Sequence, residues 1–347
     1  MVQMQELLSQ LVSRNGSDLH ISAGAPPMIR VSGSLVSTDN EIMTPDETKA
    51  LVYSILTTDQ IASFEQKLEL DFSFGIRELG RFRTNVFMQR GAVGAVLRII
   101  PYRVLGFDEL GLPRKVCEQL CNLPRGLILV TGATGSGKST TLAAMIDHIN
   151  DHRPCHIVTI EDPIEFLHGN KRALVNQREV GMDTHGFQNS LRSVLRQDPD
   201  VVLIGEMRDL ETIEAALLLS ETGHLTFGTL HTSDAVQTIN RIIDVFPHHQ
   251  QQQIRTQLSF SLQGVFCQQL LPTAVGKGRA LASEVLIVNT PVRALIRDDK
   301  AHQIYSIIQT SKKIGMQTMN ASLSELAMSN RITSEEAIAR SSEPDEL

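Results

Sequence analysis

Apolar residues recur along this 347-residue chain in two rhythms. Met4, Leu7, Leu8 and Leu11 fall at helical spacing and predict an amphipathic first helix, not a basic-then-apolar signal peptide. Short mixed runs follow. Leu19-His20-Ile21, Met28-Ile29-Arg30-Val31 and Asp71-Phe72-Ser73-Phe74 predict strands, punctuated by Pro26-Pro27 and Gly33. Thr44-Pro45-Asp46-Glu47 opens a predicted helix through Leu56, with Thr44 as N-cap and Pro45 in the first turn. Gly80 to Ile100 reads as a hairpin turning near Gly91. Past residue 105 the rhythm changes. Apolar runs at 127–131, 155–160, 201–205, 225–230 and 282–288 alternate with helical stretches, one of them Leu210 to Thr222 between an Asp209 cap and Gly223. That order predicts a mostly parallel sheet covered by helices. The expected organisation is a small α+β domain over 1–101, a linker over 102–111 and an α/β domain over 112–347, with a polar, frayed tail from Ser341.

Composition narrows the class. A 41% hydrophobic content supports a sizeable core, and no apolar run approaches the roughly 20 residues of a membrane span. Cys117, Cys121, Cys155 and Cys267 form no Cys-x-x-Cys pair, which suits a reduced cytoplasm and argues against a cysteine zinc site. The net charge of −7 and the lack of a long basic run weigh against nucleic acid as the main partner.

The chemistry sits where strands end. Gly132-Ala133-Thr134-Gly135-Ser136-Gly137-Lys138-Ser139 is a P-loop between an apolar strand and a helix from Thr140. Its glycines leave backbone N–H groups open to an anion at a helix start. Gly132, Thr134, Gly135, Ser136, Gly137, Lys138, Ser139 and Thr140 form the candidate nucleotide-binding set. Lys138 reaches the β- and γ-phosphates, and Ser139 suits Mg²⁺. In parallel sheets ligands lie beyond the carboxyl ends of strands. Two strands end there in Glu161-Asp162-Pro163 and Gly205-Glu206-Met207-Arg208. Glu206 is the candidate for orienting and deprotonating the attacking water, with Glu161 beside it and Asp162 as a second Mg²⁺ candidate. The alternative for Glu206 is a strand-closing residue paired with Arg208. His224 and His231 flank the strand 225–230; each is either structural or a γ-phosphate sensor. Arg81 and Arg83 share one strand face, ~7 Å apart, and clamp a phosphate or form ordinary surface pairs.

Taken together, the P-loop, Thr159-Ile160-Glu161-Asp162-Pro163-Ile164-Glu165, Arg196-Gln197-Asp198-Pro199-Asp200 with Gly205 to Asp209, and Thr222-Gly223-His224 through His231-Thr232 resemble the secretion ATPase superfamily of type II secretion and type IV pili. Within it the chain is similar to the pilus retraction ATPases. The resemblance implies a PAS-like N-terminal domain joined to a RecA-like ATPase domain. It implies a homohexamer at the inner face of a bacterial inner membrane that uses ATP and Mg²⁺ to retract a pilus, working on the inner-membrane platform protein. It also implies that Arg81, Arg83 and Arg98 serve ATP bound by a neighbouring subunit. Extension and type II ATPases carry a longer N-terminus and a four-cysteine zinc insertion; here Cys267-Gln268-Gln269-Leu270-Leu271-Pro272 runs on without the insertion. Pro291-Val292-Arg293-Ala294-Leu295-Ile296-Arg297-Asp298 matches, with substitutions, a motif that retraction ATPases require. Thr290 is its expected cap. Arg293, Leu295, Ile296 and Arg297 are then force-transmission candidates, unless the helix merely packs on its own domain. Alternatives are an accessory retraction motor or other secretion ATPase, a nucleic-acid translocase, and a non-catalytic nucleotide-binding scaffold.

Overall fold

The computed structural model describes residues 2–344, apart from 32, 77, 78, 101, 102 and 277. The chain forms two compact units, Met1–Arg103 and Val104–Leu347.

The first unit is a six-stranded antiparallel sheet with three helices, α1 (Met4–Ser13), α2 (Pro45–Tyr53) and α3 (Thr58–Lys67). Its strands are β1 (Asp18–Ile21), β2 (Met28–Val31), β3 (Ser34–Ser37), β4 (Glu69–Ile76), β5 (Gly80–Gln89) and β6 (Ala92–Ile100), ordered β3-β2-β1-β6-β5-β4. All four apolar positions expected in the first helix are buried. Thr44 and Glu47 make a reciprocal capping box around Pro45. That helix stops at Tyr53, short of Leu56, because Thr57 caps a separate helix with Gln60. Gly91 turns the β5–β6 hairpin at φ 77°.

The second unit carries α4 (Phe107–Leu110), α5 (Arg114–Cys121), β7 (Gly126–Thr131), α6 (Lys138–His152), β8 (His156–Glu161), β9 (Leu174–Glu179), α7 (Phe187–Val194), β10 (Val201–Ile204), α8 (Leu210–Glu221) and β11 (Leu225–Leu230). It continues through α9 (Ala235–Asp244), α10 (His248–Ser261), β12 (Leu262–Pro272), β13 (Arg279–Ile287), α11 (Thr290–Arg297), α12 (Ile304–Thr310), α13 (Met319–Met328) and α14 (Ser334–Arg340). The sheet order is β13-β12-β7-β11-β10-β8-β9, with only β13 antiparallel to its neighbour. Every residue of β7, β10 and β11 is buried; β10 is wholly apolar, β7 ends in Thr131, and β11 carries Thr226 and Thr229 among its apolar residues. β9 and β12 escape such a reading. β9 is an edge strand rich in polar residues, and β12 begins with a bulge at Leu262–Gly264. The stretch expected to be a plain linker contains α4, whose Phe107 is buried; Tyr102 lies outside the described residues. The tail folds back in part, with Asn320 Nδ2 donating to Glu343 O at 2.8 Å; residues 345–347 lie outside the described set. Among the described residues no helix is long and apolar enough to cross a membrane.

Candidate active site

β7 ends at Thr131 and the P-loop begins. Gly132 has φ 139°, and a Cβ there would meet Gln268 O at 2.4 Å. The loop ends in α6, which starts at Lys138 with Gly137 as N-cap, so the first amides of a 15-residue helix face the cleft. Lys138 Nζ donates to Gly132 O at 2.8 Å and Ala133 O at 3.0 Å. Burial lowers its pKa, and Glu206 and Glu165 oppose that shift.

Two strands away, β10 delivers Glu206. Gly205 N donates to Ile160 O at 2.8 Å, Thr229 Oγ1 donates to Gly205 O at 2.6 Å, and Met207 N donates to Thr229 O at 3.0 Å. These bonds fasten the 205–207 backbone between the ends of β8 and β11. A Cβ on Gly205 would lie 3.1 Å from Glu161 Cα, so an aspartate there would crowd the neighbouring strand end.

The two carboxylates sit in opposite environments. Arg208 Nε donates to Glu206 Oε1, and His231 Nε2 lies 3.0 Å from the same oxygen. The Arg208 hydrogen bond is the main cause of Glu206's lowered pKa, aided by His231 and opposed by burial. Glu161 instead has a raised pKa because burial outweighs its hydrogen bonds from Thr159 Oγ1 (2.6 Å) and Gln177 Nε2 (3.1 Å). Divergent pKa values in one cleft mark candidate acid–base chemistry.

A cleft of about 390 Å³ joins these groups. Its walls include Thr134, Gly135, Gly137, Lys138, Ser139 and Thr140 from the loop and helix, Glu161, Asp162 and Glu165 after β8, and Glu206, Arg208 and His231. The Ser139 hydroxyl and these carboxylates are hard oxygen donors of the kind Mg²⁺ prefers. Gly132 and Ser136 shape the loop from behind; Ser136 is 5% exposed. The cleft also takes in Phe166, His168, Leu270 and Arg279, which the sequence reading did not single out. Arg279 and Leu270 lie on β13 and β12, and the pairing of these two strands beyond the P-loop is not visible in local pattern.

Other expected residues stand elsewhere. His224 precedes β11, so it lies at the opposite sheet edge from the P-loop of its own chain. Its Nδ1 lies 3.0 Å from Leu219 O and 3.1 Å from Thr222 Oγ1, at the end of α8. The structure does not bring it into this cleft. Arg81, Arg83 and Arg98 belong to the first unit. Phe82 and Thr84 point into its core, which leaves Arg81 and Arg83 on the other face, as period-two alternation requires. Arg81 donates to Ser73 Oγ. Arg83 pairs across strands with Arg98, and Arg98 Nε donates to buried Asp18 at 2.7 Å.

In α11, Asn289 is the cap, not Thr290: its Oδ1 accepts from Val292 N at 3.1 Å, and Thr290 is the first helical residue. Val292 and Ile296 are buried and Leu295 is partly so. Arg293 donates to Ser259 O and Phe260 O at the end of α10 and to Gln263 Oε1 at the start of β12. Arg297 is exposed, 3.3 Å from Asp298. The two arginines therefore do different work.

The Type II/IV secretion system protein model matches residues 2–340. Over 340 residues the chain is 50% identical to the "Type IV pilus retractation ATPase PilT" of Pseudomonas aeruginosa, covering 98% of each sequence. It is 48% identical over 321 residues to a "Twitching motility protein" of Neisseria gonorrhoeae, covering 92% of this chain and 86% of that one. A crystal structure described as the pilus retraction motor PilT with bound ADP superposes with a TM-score of 0.94 at 50% identity, covering 100% of this chain and 99% of that one. The cleft lies in a RecA-like unit, which is joined in the chain to a smaller N-terminal α+β unit. This chain belongs to the Type II/IV secretion system protein family and is one of its ATPases.

Proposed function

We propose that this chain is the motor of type IV pilus retraction: a homohexamer at the cytoplasmic face of a bacterial inner membrane that hydrolyses ATP and returns pilins to the membrane through a platform protein. One observation carries the reading. The P-loop, Glu161, Glu206 and His231 meet in a single cleft of a chain that is 50% identical to a pilus retraction ATPase along nearly its whole length.

The residues suggest how turnover proceeds. The loop amides and the α6 N-terminus bind the phosphates. Lys138 exchanges two loop carbonyls for phosphate oxygens. Ser139, with Asp162 nearby, would hold Mg²⁺, which would supply charge neutralisation at the phosphates. Glu206 orients and deprotonates water. Arg208 restrains it, because a carboxylate bonded to a guanidinium is a weak base. A γ-phosphate competes for that guanidinium, so Glu206 becomes available once ATP is in place. His231 keeps Glu206 oriented. Arg81 and Arg83 serve the nucleotide of a neighbouring subunit, and α11 transmits force through the exposed Arg297 with the half-buried Leu295.

Deletion of the gene in its host tests the reading. Cells should carry more surface pili and lose twitching motility, and a plasmid copy should restore both. Normal motility with normal piliation would overturn it.

A further inference from the structure

A row of paired residues crosses the sheet at the edge where the phosphate loop begins. Glu284 of β13 pairs with Cys267 of β12, Cys267 with Thr131 at the end of β7, and Thr131 with Leu230 at the end of β11. Gly132 follows Thr131 within this row, and His231 follows Leu230 at its end. Glu284 is an acid 3% exposed, set inside the apolar run Leu281 to Ile287. Burying a carboxyl is costly unless hydrogen bonds compensate. Its Oε1 accepts the backbone N–H of Ala235 at 2.8 Å. Ala235 is the first residue of α9, so this amide has no partner within its own helix. Asp234, the N-cap, accepts from Gln237 N at 2.7 Å. The Met319 N–H at the start of α13 adds a smaller stabilisation of the Glu284 charge.

Only four residues, His231 to Asp234, separate Leu230 from Ala235. Both flanking residues are buried, while the turn is exposed or half-exposed. The sheet fixes one end of this turn and Glu284 fixes the other. Inside it, Thr232 Oγ1 lies 2.7 Å from Thr238 Oγ1. At its head, His231 Nε2 is 3.0 Å from Glu206 Oε1. A displacement of about 1 Å would take that contact beyond hydrogen-bond range.

We propose that Glu284 is a positioning residue for ATP turnover: by holding the first amide of α9 it fixes the turn that presents His231 to Glu206, and it ties that turn to the start of α13. Glu284 acts through the backbone and has no contact with the cleft. The inference rests on the reading in which His231 serves Glu206. Burial pushes the Glu284 pKa up to about 7, opposed by the Ala235 and Met319 amides and reinforced by Asp234. Asp234 at the head of α9 and the Cys267 thiol on β12 are the titratable groups facing it; burial drives the thiol pKa well up, so Cys267 stays neutral. A carboxylate is a stronger acceptor than a carboxylic acid. The turn is therefore held more firmly as pH rises through neutrality.

The test compares full-length wild type, Glu284→Gln, His231→Ala and the double variant by kcat and KM for ATP across roughly pH 6–8. Glu284→Gln should lose about tenfold in kcat at the alkaline end with little change in KM, and should lack the wild-type rise near neutrality. The double variant should be no slower than His231→Ala, because both changes break one contact. Amide hydrogen exchange over 231–238 should quicken in Glu284→Gln. Should that protein fail to fold, Glu284→Asp, which withdraws the carboxylate by one methylene, should show the same loss of kcat and the same faster exchange. A folded Glu284→Gln protein with a wild-type kcat profile, beside an impaired His231→Ala protein, would overturn the positioning role and leave the His231 reading standing. Additive losses, or an impaired Glu284→Gln beside an unimpaired His231→Ala, would overturn the route through His231. Two unimpaired variants would overturn both readings.

Discussion

Replacing Arg293 and Arg297 separately with Ala should produce two different proteins, although both residues lie on α11. Arg293 donates three hydrogen bonds, to Ser259 O at 3.2 Å, Phe260 O at 3.0 Å and Gln263 Oε1 at 3.1 Å. Two of these acceptors are carbonyls at the C-terminus of α10, where a helix leaves its last four without partners and where positive charge is favoured. Charged hydrogen bonds contribute about 1.5–3 kcal/mol each when partly buried. Competing hydration and the side-chain entropy of Arg offset much of that sum. A net loss of about 2 kcal/mol on Arg293→Ala follows, or a fall of about 4–8 °C in the melting transition of a unit this size. The Arg297 side chain is 47% exposed and, among the described residues, makes its ion pair with its sequence neighbour Asp298 at 3.3 Å. Such pairs contribute below about 1 kcal/mol, so Arg297→Ala should melt within a degree or two of wild type. Calorimetry of the full chain measures both variants, and ATPase rate and twitching motility are scored on the same proteins. Arg297→Ala should keep its ATPase rate and lose retraction; Arg293→Ala should lose stability first. An Arg293→Ala protein as stable as wild type would refute the capping argument, and normal motility in Arg297→Ala would refute the force-transmission role.

Two further outcomes follow. For Glu284, the folded pKa of about 7 stands above the ordinary 4.5, so the folded state binds the extra proton between those values and stability falls as pH rises through 7. The gap corresponds to about 3 kcal/mol, which Glu284→Gln should not lose; its melting temperature should gain on wild type from acid to alkaline pH, and a parallel pair of curves would refute the buried-acid assignment. An Arg83→Ala protein mixed with Lys138→Ala should recover some ATPase activity through interfaces that join an intact P-loop to an intact arginine, and mixed hexamers as inactive as either parent would count against action between subunits.

Much of the second unit was legible because buried parallel strands favour apolar side chains on both faces, which β10 and most of β7 supply, while β11 mixes Leu225, Phe227 and Leu230 with buried threonines. The P-loop was legible because its chemistry is local. β9 and β12 were not, since an edge strand and a bulged strand take their pairing from neighbours far along the chain. For the same reason Arg98 gave no sign of its bond to Asp18, 80 residues away. The N-cap of α11 moved one residue because Asn289 reaches the amide that Thr290 was expected to hold. Pairing of Glu206 with Arg208 was visible as an alternative, and the structure contains it, with His231 on the same carboxylate oxygen. Glu284 did carry a signal: a lone acid amid Leu281, Ala282, Val285, Leu286 and Ile287 has to be matched by buried donors.

The most direct test of the account is pilus retraction in a host strain whose only copy of this chain carries Glu206→Gln. The variant keeps the volume and hydrogen bonding of Glu206 while removing the base. The account predicts a stable protein that binds ATP, hydrolyses it far more slowly than wild type and leaves extended pili that do not retract. Retraction at the wild-type speed, with the variant present at wild-type abundance, would contradict it.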